Sequence, residues 1–177
     1  MFKNFFEFVF NLINAICSVY ATMIANKKSK SEECKKIYSS KLQVFLNRNA
    51  MVSYLHEMFE KASGPNDLIW GQSMTGRHYN NIIPKIADAA ERGAKFKIIF
   101  NKNTAETNEI KDFFATLKNA EIHFRNDNRI RVMGLSDKEV VIALSDKKNY
   151  NAILIRDSEM IKIIRSWFDL RFNESTT

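Results

Sequence analysis

The stretch "IRVMGLSDKEVVIAL", residues 130–144, sets two apolar runs on either side of a short polar corner, Ser136 to Glu139. Runs of that length, rich in Val and Ile and broken by Ser, Asp and Lys, read as two antiparallel strands joined by a tight turn. The corner carries a carboxylate, Asp137, and its role separates two readings of the chain. As a turn residue, Asp accepts hydrogen bonds from its own neighbouring backbone. As a catalytic acid or base it would need a nucleophile and a cation beside it.

Outward from this hairpin the pattern continues. "AILIR", residues 152–156, is a third run close behind the second, which adds another antiparallel strand. Residues 158–172 then place Met160, Ile161, Ile164, Trp167 and Phe168 on one helical face, with Asp157 or Ser158 able to cap the start. Upstream the rhythm differs. "SGPND", residues 63–67, stops a helix and begins a turn. "LIWGQSM" (68–74) reads as a buried strand, 80–92 as a helix with Pro84 in its first turn and Gly93 as its stop, and "FKIIFN" (96–101) as the next strand.

A second helix follows, with Asn103 and Glu106 spaced as a capping-box variant and Ile110, Phe113, Phe114 and Leu117 as its core stripe. "EIHFR" (121–125) returns as a strand. Strand, helix, strand, helix, strand implies right-handed crossovers and parallel pairing. The expected fold class is therefore α/β, a mixed parallel and antiparallel sheet with covering helices.

The rest of the chain is helical in pattern. Residues 5–25, "FFEFVFNLINAICSVYATMIA", are the most apolar stretch, and Asn4, Glu7, Asn11, Asn14, Ser18 and Thr22 fall in one narrow polar stripe. The stripe and the lack of a clean cleavage site argue against a signal peptide. Three readings remain: a helix on or across a membrane, a dimerisation helix, or a helix packed on the domain's own core. Residues 31–62 follow as a second helical region, its seam formed by Cys34, Tyr38, Leu42, Phe45, Val52, Leu55 and Phe59, with a bend at 47–49. The organisation expected is an arm over 1–49 and an α/β domain over 50–177.

At 177 residues, 45% hydrophobic and 27% charged, with 5 Gly and 2 Pro, the composition is that of a globular domain able to bury a core without disulfides or metals. Cys17 and Cys34 are too few for a disulfide framework, which points to a reducing, cytoplasmic setting, with tethering to the cytoplasmic membrane face if the first helix is in lipid. The net charge of +7 is uneven: over residues 26–50, Lys27, Lys28, Lys30, Lys35, Lys36, Lys41 and Arg48 face only Glu32 and Glu33. Such a segment attracts phosphates of nucleic acid or lipid, with Lys27, Lys28, Lys30, Lys35 and Lys36 as contacts, or else forms a solvated helix face.

The order of parts, with "AAERGAKFKIIF" (89–100) after a first strand and "SDKEVVIALSDKKNYNAILIRDSEMIKIIRSWFDLRF" (136–172) at the end, resembles the phospholipase-D-like superfamily. More narrowly it resembles the catalytically degenerate form found as the sensor domain of archaeal transcription regulators of the TrmB type and of methanogenesis regulators. The resemblance covers roughly residues 50–172. Active members carry His-x-Lys-x-x-x-x-Asp, in which the His attacks phosphorus and the Lys neutralises the nonbridging oxygens. Aligning that Asp on Asp137 puts Ile130 at the His and Val132 at the Lys, both apolar. A register starting at His123 offers Arg125 for the Lys but Ile130 for the Asp, and breaks the strand-turn-strand fit. The resemblance thus implies a domain without phosphodiesterase activity and makes Asp137 a turn residue.

His56, His78 and His123 lie in unrelated segments without metal-ligand spacing, and no phosphate-cradling or nucleophile-elbow motif occurs. Neither metal nor cofactor is expected. In open α/β sheets ligands collect beyond the carboxyl ends of parallel strands. Those ends carry Gln72, Ser73, Thr75 and Arg77 after the first strand and Asn101, Lys102 and Asn103 after the second. With Asp137 they are the candidate contacts for a sugar-like molecule or an anion; the alternative is that they are solvated loop and capping residues. The function expected is a sensor or regulatory module that binds a small ligand or a partner protein and dimerises through its arm. The basic stretch Lys27 to Arg48 does not read as a winged helix or helix-turn-helix pair, a departure from the regulator pattern. Alternatives are a membrane-tethered interaction protein, a basic nucleic-acid-binding module and a cryptic phosphodiesterase.

Overall fold

The computed structural model describes residues 41–45, 48–74, 76–101, 107–125, 131–145 and 150–174. The chain divides into Met1–Ser39 and Ser40–Thr177, and all described residues belong to the second unit. The expectations for the apolar first helix, for Cys34 and Tyr38, and for Lys27, Lys28, Lys30, Lys35 and Lys36 lie outside the described residues. Among the described residues no helix is long and apolar enough to cross a membrane.

In chain order the elements are β1 (Leu42–Phe45), α1 (Arg48–Lys61), β2 (Leu68–Met74), α2 (Gly76–Glu91), β3 (Lys95–Asn101), α3 (Thr107–Ala115), β4 (Ala120–Arg125), β5 (Arg131–Leu135), β6 (Glu139–Ser145), β7 (Tyr150–Ile155) and α4 (Ser158–Asn173). The strands form one seven-stranded sheet in the order β1-β7-β6-β5-β2-β3-β4. β2, β3 and β4 are parallel. β5, β6, β7 and β1 add antiparallel neighbours on the other side of β2. This is the mixed sheet that the change of rhythm near residue 129 implies.

Alternation along the strands creates two buried faces. Ile69, Phe96, Ile98, Phe100, Met133, Leu135, Val141 and Leu154 share one core with Met58 and Phe59 of α1, Ile82 and Ile86 of α2, and Ile110 and Phe114 of α3. The opposite face carries Trp70, Ile99, Val132, Val140, Ile142 and Ile153, all buried, and α4 lies on this side. Trp70 meets Phe168 with ring centroids 5.2 Å apart, and His123 meets Phe172 at 4.1 Å. Helix α4 is started by Asp157, whose carboxylate accepts from the backbone N–H of Glu159 and Met160.

Two glycines permit the close approaches at the centre of the sheet. Gly134 of β5 lies directly opposite Trp70 of β2. A Cβ there would overlap Cε2, Cζ2 and Nε1 of the indole. A Cβ on Gly71 would stand 2.6 Å from the Val132 carbonyl oxygen.

The "A-x-x-R-G" segment, Ala89 to Gly93, has a mechanical basis. Gly93 adopts φ +95°, the left-handed conformation that ends α2. Arg92 reaches across to α1, donating from Nε to the Ala62 carbonyl at 3.0 Å and from Nη2 to the Phe59 carbonyl at 2.8 Å. It thereby supplies donors to carbonyls at the end of α1, where the Phe59 carbonyl also accepts from Ala62 N at 3.3 Å. Arg92→Ala is expected to cost about 2 kcal/mol of unfolding free energy, and Arg92→Lys to recover only part of it because an ammonium lacks the guanidinium fork. A urea titration of the two variants checks both values.

Two local expectations change. The helical reading of residues 31–62 holds over Arg48–Lys61, but Leu42–Phe45 is strand β1, paired antiparallel with β7 from Leu42↔Ile155 to Phe45↔Ala152. Leu42 and Phe45 fit a helical spacing, yet four residues can equally extend, and the open edge of β7 supplies hydrogen bonds that an isolated turn cannot match. Pro84 lies in the interior of α2, which begins at Gly76, and not in a first turn. The proline is on the exposed side, so water can satisfy the carbonyl that its missing N–H leaves open.

Candidate functional site

The two ends of the sheet carry different chemistry. At the carboxyl ends of the parallel strands, Gln72 of β2 lies between Ile99 of β3 and Val132 of β5, Met74 lies beside Phe100, and Asn101 lies beside Arg125 of β4. The backbone therefore brings the ends of β2 and β3 together, and α2 begins directly after β2 at Gly76. Gln72 is buried at 3% exposure, on the same side of the sheet as Trp70 and α4. Ser73 is in β2, Asn101 in β3 and Arg77 in the first turn of α2. Thr75, Lys102 and Asn103 lie outside the described residues. Among the described residues, Gln72, Ser73, Arg77 and Asn101 thus lie at one edge of the sheet, and the Gln72 amide there is buried.

Asp137 does not join them. It is exposed at the tip of the β5–β6 turn. That turn sits at the beginning of β2, where Ser136 N donates to the Leu68 carbonyl at 2.7 Å. β5 runs antiparallel to β2, so Asp137 and Gln72 are at opposite ends of the pair: Leu135, where the strand ends before the turn, is already about 10 Å along β5 from Val132, the partner of Gln72. Asp137 belongs to a turn, as expected, but its neighbours make the bonds that shape it. Ser136 holds φ 50°, unusual for a residue with a side chain. That conformation is fixed by Lys138 N donating to the Leu135 carbonyl at 3.0 Å, Leu68 N donating to Ser136 Oγ at 3.1 Å and Trp70 Nε1 donating to the Ser136 carbonyl at 2.9 Å.

The carboxylate that organises this corner is Asp67. It accepts from Ser63 N at 3.0 Å and from Lys138 Nζ at 2.6 Å. The Lys138 hydrogen bond, with the Ser63 N–H, holds its carboxyl below the ordinary aspartate range.

A second polar constellation, absent from the sequence reading, lies at the same amino-terminal end. Glu139, 6% exposed, begins β6 and points to the face covered by α1. Tyr54 Oη donates to Glu139 Oε2 at 2.5 Å and accepts from Arg156 Nη2 at 3.0 Å and from Lys61 Nζ at 3.4 Å. Arg156 Nε stands 3.5 Å from Glu139 Oε2, and Lys61 Nζ 3.7 Å from Oε1. Burial, reinforced by the hydrogen bond to Glu139, raises the Tyr54 pKa. Its chemistry is that of a clamp, since the carboxylate is neutralised from both sides and joins α1, β6 and the segment after β7. The available signal was Glu139 itself, which shares the inward phase of Val141 and Ala143 and so required a buried partner.

The positions singled out for phosphodiester chemistry are apart from any such cluster. Val132 is 3% exposed and paired with Gln72 and Ile142 on adjacent strands. Ile130 is outside the described residues. His123 lies on β4 beside Ile99, against the Phe172 ring, with Arg125 two positions on and 3.5 Å from Glu174. Among the described residues no group of His, Cys, Asp and Glu side chains is arranged to hold a metal ion.

Residues 41–177 match the family model described as "Transcriptional regulator TrmB, EBD N-terminal subdomain". Among solved structures, the fold is similar to TrmBL2, described as an archaeal chromatin protein with a novel mode of DNA binding. That similarity has a TM-score of 0.63 and 18% identity over 98% of this chain and 65% of that one. The chain therefore spans about two thirds of the length of that protein. It is also similar to NucT from Helicobacter pylori, with TM-score 0.59 and 18% identity over 76% of this chain and 96% of that one. Nuc from Salmonella typhimurium, a phospholipase D family member, follows with TM-score 0.51 and 17% identity over 75% and 93% of the two chains. These likenesses establish a phospholipase-D-like fold. No curated protein sequence matches the chain.

Proposed function

This chain belongs to the TrmB family of transcriptional regulators, and from that premise we propose that it is a non-catalytic sensor module that binds a sugar-like molecule or an anion at the carboxyl edge of β2 and β3. The observation that carries the reading is the environment of Val132, a buried apolar side chain paired with Gln72 and Ile142, at the position that aligning the motif's Asp on Asp137 gives to the lysine of a phospholipase-D-like enzyme. A hydrocarbon there cannot neutralise a phosphoryl oxygen, and Ile130 offers no imidazole to attack phosphorus. What such an edge retains is hydrogen-bonding capacity: the Gln72 amide, Asn101 and the start of α2 with Arg77.

Thermal unfolding of the full chain against a panel of sugars, sugar phosphates and inorganic anions tests the proposal. A ligand at one hundred times its dissociation constant adds about 2.7 kcal/mol, enough to move the unfolding midpoint by several degrees. Arg77→Ala and Gln72→Leu are expected to abolish the shift. Turnover of a chromogenic phosphodiester by the purified chain would overturn the non-catalytic reading, and a flat response across the panel would overturn the ligand-binding one.

The cations over residues 26–50 favour a second reading, contact with nucleic acid through Lys27, Lys28, Lys30, Lys35 and Lys36. It requires gel retardation at low salt that falls steeply as salt rises.

A further inference from the structure

The sheet ends at β4, and among the described residues no strand pairs with its outer edge. In a parallel ladder, alternate residues direct both main-chain groups to the same neighbour. Phe96 lies opposite Ala120 and donates its N–H to the Asn119 carbonyl at 2.8 Å. It follows that Ala120, Ile122 and Phe124 turn their N–H and C=O groups away from β3. Natural sheets protect such an edge with charged side chains, lysine above all, with proline or with a bulge; the two charges here, Glu121 and Arg125, are of opposite sign and so can complement a second copy. The strand AEIHFR contains neither proline nor lysine, and its register against β3 is unbroken. Ile122 and Phe124 are only half-buried.

We propose that this edge docks a second copy of the chain, β4 pairing antiparallel with β4 about a two-fold axis through His123. The strand is complementary to itself in that register. Glu121 meets the partner's Arg125, and symmetry repeats the pair. Ile122 meets the partner's Phe124, and these two exchange main-chain hydrogen bonds through the groups that β3 leaves unused. Shifting the pairing so that Ile122 faces its own counterpart breaks both ion pairs. The charges have capacity for the contact. Glu121 is 65% exposed with Lys97 at 4.0 Å and is loosely held; Arg125 is 22% exposed and meets Glu174 at 3.5 Å, so its guanidinium would be shared between Glu174 and the partner's Glu121. Pairing would continue the sheet across two subunits and place the carboxyl termini of both α4 helices on the same side.

Sedimentation equilibrium of the full chain tests the arrangement. Glu121→Arg and Arg125→Glu each set like charges face to face at both symmetry-related positions, and each is expected to weaken the dimer roughly tenfold or more. The double variant Glu121→Arg/Arg125→Glu exchanges the signs and should restore it, which a merely destabilised fold would not do. In a Cys17→Ser/Cys34→Ser background, His123→Cys should form an intersubunit disulfide, because directly opposed residues at a non-hydrogen-bonded antiparallel position lie about 4.5 Å apart between Cα atoms. A chain that stays monomeric overturns the proposal. So does a dimer indifferent to both charge reversals, as one formed through residues 1–40 would be, or a double reversal that fails to restore association.

Discussion

Gly134→Val is expected to abolish stable folding of the domain, and Gly134→Ala to lower its unfolding free energy by about 3 kcal/mol or more. The cause is the lack of any place for the Trp70 indole to go. Trp70 is fully buried, with Phe168 at 5.2 Å and the Arg165 guanidinium 5.1 Å from its ring, and its Nε1 donates to the Ser136 carbonyl at 2.9 Å. A methyl on Gly134 overlaps that ring from the neighbouring strand. Relief would require opening the β2–β5 ladder or tearing the indole from the turn, and each loses contacts in a domain whose whole margin is about 5–15 kcal/mol. Urea unfolding followed by tryptophan fluorescence measures the loss. Trp70→Leu in the Gly134→Ala background should be less harmful than the two losses added, since a smaller side chain removes the overlap. A Gly134→Ala variant within about 1 kcal/mol of the parent would refute this account of the sheet's centre.

The second large effect is expected at Glu139. Glu139→Ala removes the carboxylate shared by Tyr54, Arg156 and Lys61, leaving a buried phenol beside two cations with no counter-charge. The loss is about 3 kcal/mol, moderated by the partial exposure of Arg156 and Lys61. Glu139→Gln keeps an oxygen for the Tyr54 hydroxyl and should lose markedly less. Tyr54→Phe and Glu139→Ala should be non-additive in a double-mutant cycle, because the two side chains share one hydrogen bond. Additive losses would mean that Tyr54 and Glu139 are held independently.

Periodicity made most of the architecture readable in advance. β2 and β3 occupy the residues that their apolar runs marked, α4 presents Ile161, Ile164, Trp167 and Phe168 as its spacing required, and Asp157 caps it. Each of these features is local: a side chain's phase within one element decides which face is buried, and the capping group lies within a turn of what it caps. The likeness to the TrmB family rested on similar local marks, among them Arg92 and Gly93 at the end of α2. The role of Arg92 became visible only when α1 was placed beside it, some thirty residues away in the chain.

The amino-acid sequence by itself determined which stretches extend and which coil, and where the parallel half gives way to the antiparallel half. Tertiary structure alone decided that Leu42–Phe45 joins the sheet as its edge, that Asp137 sits a strand's length from Gln72, and that Glu139 is held by Tyr54, 85 positions earlier. The physical reason is the range of the forces involved. Side-chain phase is set within a few residues, whereas the partner of an open strand edge or a buried charge is chosen by whichever distant segment can satisfy it once the chain has folded.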